Sequence, residues 1–341
     1  MEPYTRGKLG IIACESSRHF AEKVIEQLKK ITEKEKETNG DYLIKTKETQ
    51  FSNTEIKTEL EESIRNKDIY IFQDVENKSN GFNVNDNLFA LKTAIQAAKM
   101  ADAHFITAVI PAYPYARQDK PKTREGISAA MIARELEDIG AGRVITLDIH
   151  NEAIGGFFRK AILENLRASK SFMDYIKKNI GLKDLVIVAP DAGGAARANF
   201  YAKKLGTKLA LIHKERDYSK TSTIENMELI GDVEGKNVFV VDDLLDTGGT
   251  VVNAAKKLKE KGADKIYFAV SLALLNGPAV ERIEKAYKEG FITKIIGTDV
   301  IFHGKDFAKK HDWYEEVSLA KYFAKVIYNI NRGISISRLL E

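Results

Sequence analysis

An apolar segment that ends in acidic residues and a glycine turn carries the clearest chemistry in this sequence of 341 residues. Asp242 and Asp243 follow directly after the apolar run, and Asp246 comes shortly after them. Glycines let a backbone approach a ligand closely, and amides and hydroxyls at the start of a helix bind phosphate groups. Carboxylates do not bind phosphate themselves, but they accept hydrogen bonds from sugar hydroxyls. The stretch therefore predicts a site for a ribose that carries a 5-phosphate. Its turn consists of Thr247, Gly248, Gly249 and Thr250.

A purely structural role is the alternative for part of this stretch. Asp246 or Thr247 could simply cap the helix that begins near Val251. A cap would explain one polar residue and would leave the other carboxylates and the glycines without a reason. The sequence contains neither the Gly-Lys-Ser/Thr of a Walker loop nor the Gly-x-Gly-x-x-Gly of dinucleotide-binding folds.

A stiff loop follows the apolar run that ends at Ile110. It contains two prolines and two tyrosines, and it presents Arg117 and Gln118. A guanidinium group can pair with a phosphate or stack on a base. The loop could therefore contact such a ligand, and an ordinary surface loop is the alternative.

Four more residues of interest stand just after apolar runs. His150 follows the run Val144–Ile149, and Asp191 follows Leu185–Ala189 by two positions. Lys214 and Arg216 lie in a charged segment rich in serine and threonine. On its own, each has an ordinary interpretation, as a structural histidine, a turn residue or the charges of a polar loop.

Short apolar runs rich in valine, isoleucine and aromatic residues alternate with helical patterns along the chain. This alternation indicates parallel sheets that helices cover on both faces. Because it occurs twice, we expect two α/β domains, residues 1–160 and 161–341, and the last helix, Leu319–Asn329, could pack on either. Ligands bind beyond the carboxyl ends of strands in such sheets, where the polar residues above stand. The predicted strands are Leu9–Ala13, Ile69–Phe72, Phe105–Ile110, Val144–Ile149, Leu185–Ala189, Leu209–Ile212, Val238–Val241, Ile266–Ser271 and Ile295–Thr298.

The composition excludes several classes of protein. The 53 basic and 49 acidic residues nearly balance, which argues against a nucleic-acid partner. A single cysteine, Cys14, cannot form a disulfide within the chain. The sequence shows no signal-peptide pattern and no apolar stretch of the ~18 residues that a membrane helix needs. We therefore expect a soluble cytoplasmic protein with no membrane partner.

The stretch Val240–Thr250 resembles the motif that binds phosphoribosyl diphosphate (PRPP) in type I phosphoribosyltransferases and in PRPP synthases, which are also called ribose-phosphate pyrophosphokinases. Other segments favour the synthases. Pro111–Lys120 is similar to their Pro-Tyr-x-x-Tyr-Ala-Arg-Gln-Asp-Arg, and Asp148–Phe158 is similar to their Asp-Leu-His with a following Gly-Phe-Phe. Pro190–Gly194 resembles their Pro-Asp-x-Gly-Gly, and Met227–Lys236 also matches the family. The resemblance extends over nearly the whole chain.

The resemblance implies a fold and a role for each candidate residue. The fold is two phosphoribosyltransferase-like domains, each a mainly parallel sheet flanked by helices, with the ATP side in the first domain. Lys214 and Arg216 would be catalytic, and Arg216 would also contact ribose 5-phosphate. His150 and Asp191 would hold Mg²⁺, which prefers oxygen ligands and usually bridges substrate phosphates. The implied ATP-binding residues are Phe51, Asn53, Thr54, Glu55, Arg117 and Gln118, and the remaining ribose 5-phosphate residues are Asp242, Asp243, Asp246, Thr247, Gly248, Gly249 and Thr250.

The implied activity is transfer of a diphosphoryl group from ATP to the 1-hydroxyl of ribose 5-phosphate, which gives PRPP and AMP in nucleotide biosynthesis. The family also implies a homo-oligomer, a hexamer or another assembly of dimers. The chain departs from the family pattern at Asn53, Thr54 and Glu215. Two other functions therefore stay open at this point: a catalytically weak regulatory homologue, and a phosphoribosyltransferase that consumes PRPP.

Overall fold

The chain is described by a computed structural model that covers residues 5–36, 40–216 and 225–340. Two compact units divide these residues. The first contains the described residues up to Arg167, together with 299–304 and the residues from Ser318 onward. The second contains residues 168–298 and 305–317. The domain boundary between residues 160 and 161 stays a prediction, because the chain passes from one compact unit to the other more than once.

The first unit is built on a parallel sheet of five strands in the order β1-β4-β5-β6-β7. The strands β1, β4 and β5 are buried nearly throughout, which accounts for their continuous apolar sequences. Two further strands, β2 and β3, pair antiparallel as a sheet of their own. The strands are β1 (Leu9–Ala13), β2 (Thr46–Gln50), β3 (Ile56–Leu60), β4 (Asp68–Phe72), β5 (Phe105–Val109), β6 (Arg143–Leu147) and β7 (Ile162–Leu166).

Helices of the first unit are amphipathic, with apolar faces on the sheet or on each other. The helix Ala320–Asn331 packs against the helix Arg18–Lys34, where the rings of Phe20 and Phe323 meet edge to face with centroids 5.1 Å apart. The structure thus assigns the last helix, which the sequence left open, to the first unit. The helices are α1 (Arg18–Lys34), α2 (Val84–Met100), α3 (Ser128–Ile139), α9 (Ala320–Asn331) and α10 (Ser337–Leu340).

The second unit is built on a sheet of seven strands in the order β10-β9-β8-β11-β12-β13-β14. Only β10 is antiparallel to its neighbour. The strands are β8 (Leu185–Ala189), β9 (Lys208–Arg216), β10 (Glu225–Ile230), β11 (Asn237–Leu245), β12 (Ile266–Ala273), β13 (Lys294–Thr298) and β14 (Tyr314–Val317). The helices are α4 (Ser169–Tyr175), α5 (Ala195–Leu205), α6 (Gly249–Glu260), α7 (Ala279–Lys288) and α8 (Phe307–Lys310).

The predicted fold class is confirmed, since both units are mainly parallel α/β sheets. Each of the nine predicted strands is present, with ends that differ by a few residues. Five of the described strands were not predicted. Two of these, β2 and β3, consist largely of exposed or half-buried polar residues and lack an apolar run. No helix in the described part of the chain is both long enough and apolar enough to span a membrane.

The strand order of the second unit marks where a ligand would bind. From β8 the chain moves to β9 on one side, and β11, on the other side of β8, leads on to β12. In open α/β sheets, the crevice beyond the carboxyl ends at such a reversal is the usual ligand site. Both neighbours also continue past the end of β8, because β8 pairs only with the first residues of β9 and of β11.

Candidate active site

The acidic pair lies at this reversal of strand order, on the part of β11 that continues past β8. Asp242 and Asp243 are half-buried, and the backbone N–H of Asp243 donates to Oδ1 of Asp242 over 2.9 Å. Arg197 of α5 reaches the pair: its Nη1 lies 3.0 Å from Oδ1 of Asp243 and 3.5 Å from Oδ1 of Asp242. Burial and the adjacent Asp243 carboxylate raise the pKa of Asp242 well above its ordinary value, and Arg197 opposes this shift. The sequence predicted the pair, and the resemblance included Arg197 in the helix after Pro190–Gly194 without assigning it a role.

The turn after the acidic pair is shaped by a glycine and braced by the next loop. Gly248 has φ +77°, a conformation that L side chains rarely adopt, and it is the N-cap of α6. Asp246 accepts a hydrogen bond from the side chain of Asn276, over 3.1 Å, and Arg282 donates to the carbonyl of Thr247, also over 3.1 Å.

This geometry decides against the capping alternative. The N-cap position of α6 belongs to Gly248, so neither Asp246 nor Thr247 occupies it. Backbone amides at the start of a helix bind phosphate groups.

Asp191 lies in the loop that closes the end of β8. Its Oδ1 accepts the backbone N–H of Gly194 over 3.0 Å, and α5 begins at the next residue. The strands β8 and β11 are parallel neighbours. Asp191, Arg197 and the acidic pair therefore come from the same edge of the second sheet, on the two sides of the reversal in strand order.

Lys214 and Arg216 are placed by their backbone at the same edge. They belong to the part of β9 that continues past β8, where Met227 and Glu225 of β10 pair with them. Their side chains, and residues 217–224 that follow, lie outside the described part of the chain. The observed strand β9 continues to Arg216, whereas the sequence predicted that it ends at Ile212 and that a polar loop follows.

In the first unit, the loop of Arg117 and the segment of His150 are neighbours at the carboxyl edge of the five-stranded sheet. They follow the adjacent parallel strands β5 and β6. The carbonyl of Pro111 accepts hydrogen bonds from the N–H of Leu147, over 3.1 Å, and from the hydroxyl of Thr146, over 3.0 Å. Further along, the Asn151 side chain donates to the Asp119 carboxylate.

Asp119 and Asn151 are functional candidates that the sequence did not single out. Burial acts against ionisation of Asp119, but the hydrogen bond from Asn151 and the nearby His150 lower its pKa on balance. Gln118 is fixed as well, because its side-chain oxygen accepts the hydroxyl of Ser128 at the start of α3 over 2.7 Å. Arg117 and His150 are exposed at this edge.

Two residues near this edge have left-handed backbone conformations without being glycine. Tyr115 has φ +59° and the buried Asp148 has φ +40°. Such strained residues cluster at functional sites, where surrounding contacts hold them in place. Here the Arg167 guanidinium pairs with Asp148 over 3.5 Å, and the N–H of Asp148 donates to the carbonyl of Leu166 over 2.8 Å.

The loop Phe51–Glu55 connects β2 and β3 and is exposed throughout. It is closed by its own backbone: the N–H of Phe51 donates to the carbonyl of Glu55, and Asn53 accepts the N–H of Glu55 over 3.2 Å. Thr54 has φ +70°, a left-handed conformation that favours glycine. The hairpin packs on α2, where the hydroxyls of Thr58 and Thr93 are 2.8 Å apart. The structure thus places this loop on a separate hairpin, outside the five-stranded sheet.

His150 in the first unit and Asp191 in the second are each compared with the needs of Mg²⁺. This ion prefers oxygen ligands, retains several waters and is usually held by one or two carboxylates together with phosphates. Within the described residues, no group of three or more histidine, cysteine, aspartate or glutamate side chains could hold a metal ion. Asp191 offers carboxylate oxygens and His150 an imidazole nitrogen, and each by itself suits only an ion that arrives with a phosphorylated ligand.

Known proteins resemble the chain over nearly its full length. A model described as the N-terminal domain of ribose phosphate pyrophosphokinase matches residues 9–140, and a phosphoribosyl transferase domain matches residues 159–307. The chain is 41% identical over 303 residues to the ribose-phosphate pyrophosphokinase of Chlorobaculum tepidum, which covers 89% of each chain. It is 38% identical over 339 residues to ribose-phosphate pyrophosphokinase 1 of Listeria monocytogenes, which covers 99% of each. The phosphoribosylpyrophosphate synthetase of Mycobacterium smegmatis has a similar crystal structure, with a TM-score of 0.81, 30% identity and coverage of 95% of this chain and 98% of that one.

Proposed function

The chain belongs to the ribose-phosphate pyrophosphokinase family, and we propose that it catalyses the reaction of that family, the synthesis of PRPP and AMP from ribose 5-phosphate and ATP. The observation that carries the proposal is the acidic pair, followed by a turn with Gly248 at the N-cap of α6, at the strand-order reversal of the second sheet. A binding site for a sugar phosphate needs acceptors for hydroxyls beside donors for phosphate, and this edge offers both.

The reaction itself requires little covalent chemistry from the protein. The 1-hydroxyl oxygen of the sugar forms a bond to the β-phosphorus of ATP. The bond from that phosphorus to the oxygen shared with the α-phosphate breaks, AMP leaves with the electron pair, and the hydroxyl proton is released. The protein must therefore align the two substrates and offset the charge on the transferred group.

The sugar is assigned to the second sheet. Asp242 and Asp243 would accept the hydroxyls at C2 and C3, while the amides and hydroxyls of Thr247–Thr250 would bind the 5-phosphate. This assignment is supported by the position of the acidic pair on the part of β11 that continues past β8, and by the left-handed backbone of Gly248 at the start of α6. Asp246, bound to Asn276, would fix the turn between them.

The nucleotide is assigned to the first sheet. Arg117 and Gln118 would contact ATP from the loop after β5, and the hairpin residues Phe51, Asn53, Thr54 and Glu55 would complete the nucleotide site. The support for Gln118 is the hydrogen bond from the hydroxyl of Ser128 to its side-chain oxygen, which fixes the orientation of the amide group.

Charge on the transferred group is assigned to Lys214, Arg216 and a divalent ion. His150 and Asp191 would hold Mg²⁺ together with substrate phosphates, and the ion, when bound, offsets phosphate charge. Lys214 and Arg216 would donate to the phosphoryl oxygens from the part of β9 that passes the sheet edge.

One assay distinguishes this function from its alternatives. The protein is incubated with ATP, Mg²⁺ and ribose 5-phosphate, and AMP is measured. We expect AMP only when the sugar is present. No AMP under any condition would favour a regulatory homologue, and loss of added PRPP that depends on a purine or pyrimidine base would identify a phosphoribosyltransferase.

The catalytic role of Lys214 is tested by Lys214→Ala. Loss of a donor that acts in the transition state lowers kcat on the order of 10²- to 10³-fold. The exposed Lys208, at the start of the same strand, provides the matched control, and Lys208→Ala should leave kcat within about twofold. A raised KM with an unchanged kcat in Lys214→Ala would show that this lysine only binds substrate.

The metal and the assembly are tested separately. EDTA should abolish activity and Mg²⁺ should restore it, so activity that survives thorough chelation would contradict the metal assignment. We further propose a homo-oligomer, hexameric or dimer-based, that acts in the cytoplasm without nucleic-acid or membrane partners. Light scattering coupled to gel filtration measures the assembly, and a monomer would contradict it.

A further inference from the structure

Arg197 occupies a position in the second unit that the assigned roles leave unexplained. It stands in the first turn of α5, three residues after Gly194, whose N–H is held by Asp191. Its guanidinium group crosses from the helix to the neighbouring strand β11 and contacts both carboxylates of the acidic pair through Nη1, over 3.0 and 3.5 Å.

The contact is largely shielded from water. The side chain of Arg197 is 21% exposed, and those of Asp242 and Asp243 are 21% and 13% exposed. Charges that are shielded from water attract each other more strongly than charges on the surface, where water and salt screen them.

The acidic pair needs such a partner to bind a sugar. Two carboxylates on successive residues repel each other, and burial penalises the charge on each. The positive charge of Arg197 opposes the uptake of a proton by the pair, because it lies beside both carboxylates. A carboxylate that is free to rotate would also have to be ordered when the sugar binds.

We propose that Arg197 is a positioning residue for ribose 5-phosphate, which holds Asp242 and Asp243 as two oriented acceptors for the vicinal hydroxyls of the sugar. The inference rests on the proposed function, because Arg197 would orient the carboxylates that recognise the sugar hydroxyls at the proposed site. Arg197 acts through the carboxylates and is not assigned a contact with the transferred phosphoryl group.

The test compares variants of one helix in the full-length protein. Arg197→Gln removes the charge, and Arg197→Lys retains it. Lys203→Gln removes a charge from an exposed position of α5 and serves as the control. KM for ribose 5-phosphate, KM for ATP and kcat are measured for each, and thermal unfolding reports whether each variant is folded.

We expect Arg197→Gln to raise KM for ribose 5-phosphate about 10- to 100-fold, the ratio that corresponds to one charge-assisted interaction. KM for ATP should change less than about twofold, as should all constants of Lys203→Gln. Arg197→Lys should recover a substantial part of the loss. An unchanged KM for the sugar, an equal rise in both KM values, or a lysine variant no better than glutamine would each overturn the proposal.

A second measurement addresses the diol directly. The affinity for 2-deoxyribose 5-phosphate, which lacks one of the two hydroxyls, is measured by calorimetry beside that for ribose 5-phosphate, in the absence of ATP. Arg197→Gln and Arg197→Lys should reduce the preference for ribose, with the larger reduction in the glutamine variant. A preference equal to that of the unmodified protein would overturn the proposal, whereas failure of the unmodified protein itself to bind ribose 5-phosphate would overturn the proposed function as well.

Discussion

A buried carboxylic acid in the first unit makes the stability of the protein depend on pH. Asp74, just after β4, is 2% exposed, and it accepts the N–H of Phe302 through Oδ2 and the N–H of Glu76 through Oδ1, each over 3.1 Å. Phe302 belongs to the segment 299–304, which the chain contributes to this unit after most of the second unit is complete. The carboxyl group therefore fastens a distant stretch of chain to the five-stranded unit.

Burial raises the pKa of Asp74 from 3.8 to about 7, although its hydrogen bonds to backbone N–H groups oppose the shift. Between these pH values the folded protein retains a proton that the unfolded chain has lost. This contribution to stability is therefore fully present below pH 3.8 and is lost as the pH rises through about 7. The difference between the two pKa values corresponds to about 4 kcal/mol of unfolding free energy.

Asp74→Asn isolates this contribution, because asparagine has nearly the same shape and no charge at any pH. Its NH₂ group meets one of the two N–H donors, which costs about 1 to 3 kcal/mol at every pH. The stability of the variant relative to the unmodified protein should nevertheless rise by about 3 kcal/mol between pH 5 and pH 8. Urea unfolding at a series of pH values, followed by circular dichroism, measures this difference.

An exposed carboxylate provides the control. Asp102 pairs with Arg65, and both side chains are more than 60% exposed, so Asp102→Asn should change stability by at most about 1 kcal/mol. A difference between Asp74→Asn and the unmodified protein that stays constant from pH 5 to pH 8 would refute the reasoning, since the folded carboxyl group would then ionise as it does in the unfolded chain.

Two further predictions concern the turn at Gly248 and the buried Glu137 of α3. Gly248→Ala should destabilise the second unit by about 1 to 2 kcal/mol and raise KM for ribose 5-phosphate, because the residue has φ +77° and a Cβ would meet the backbone of Ala279 at 3.4 Å. Gly206→Ala, at φ +67° with nothing near its Cβ, should share the backbone cost and leave KM unchanged, and an equal KM for both variants would contradict this view. Although burial opposes it, hydrogen bonds from Lys160, Arg159 and Ala161 lower the pKa of Glu137, so Glu137→Gln should reduce the urea midpoint at pH 7 and lose this effect as the pH falls below 4.5. A midpoint that does not change at pH 7 would show that these bonds add no stability.

Much of the fold could be predicted because its strands are buried on both faces. A strand such as β8, with five buried apolar residues, is visible in the sequence wherever it stands. The strands β2 and β3 were not predicted, because they form a small sheet whose residues are mostly exposed or half-buried and polar. The end of β9 was placed too early, since Lys214 and Arg216 are polar residues that pair with β10 beyond the main sheet.

The sequence by itself determined the two α/β patterns and the residues that could bind a sugar phosphate, because strand burial and a turn at a helix start are local properties. Only the tertiary structure decided which groups accompany them. Arg197 and the acidic pair are far apart in the chain, and parallel pairing of β8 with β11 brings them together. Likewise, the sequence allowed Asp246 or Thr247 to cap the helix, and the structure places Gly248 at the N-cap of α6 instead. Such contacts depend on strand order and register, and these arise from packing between segments that no local pattern records.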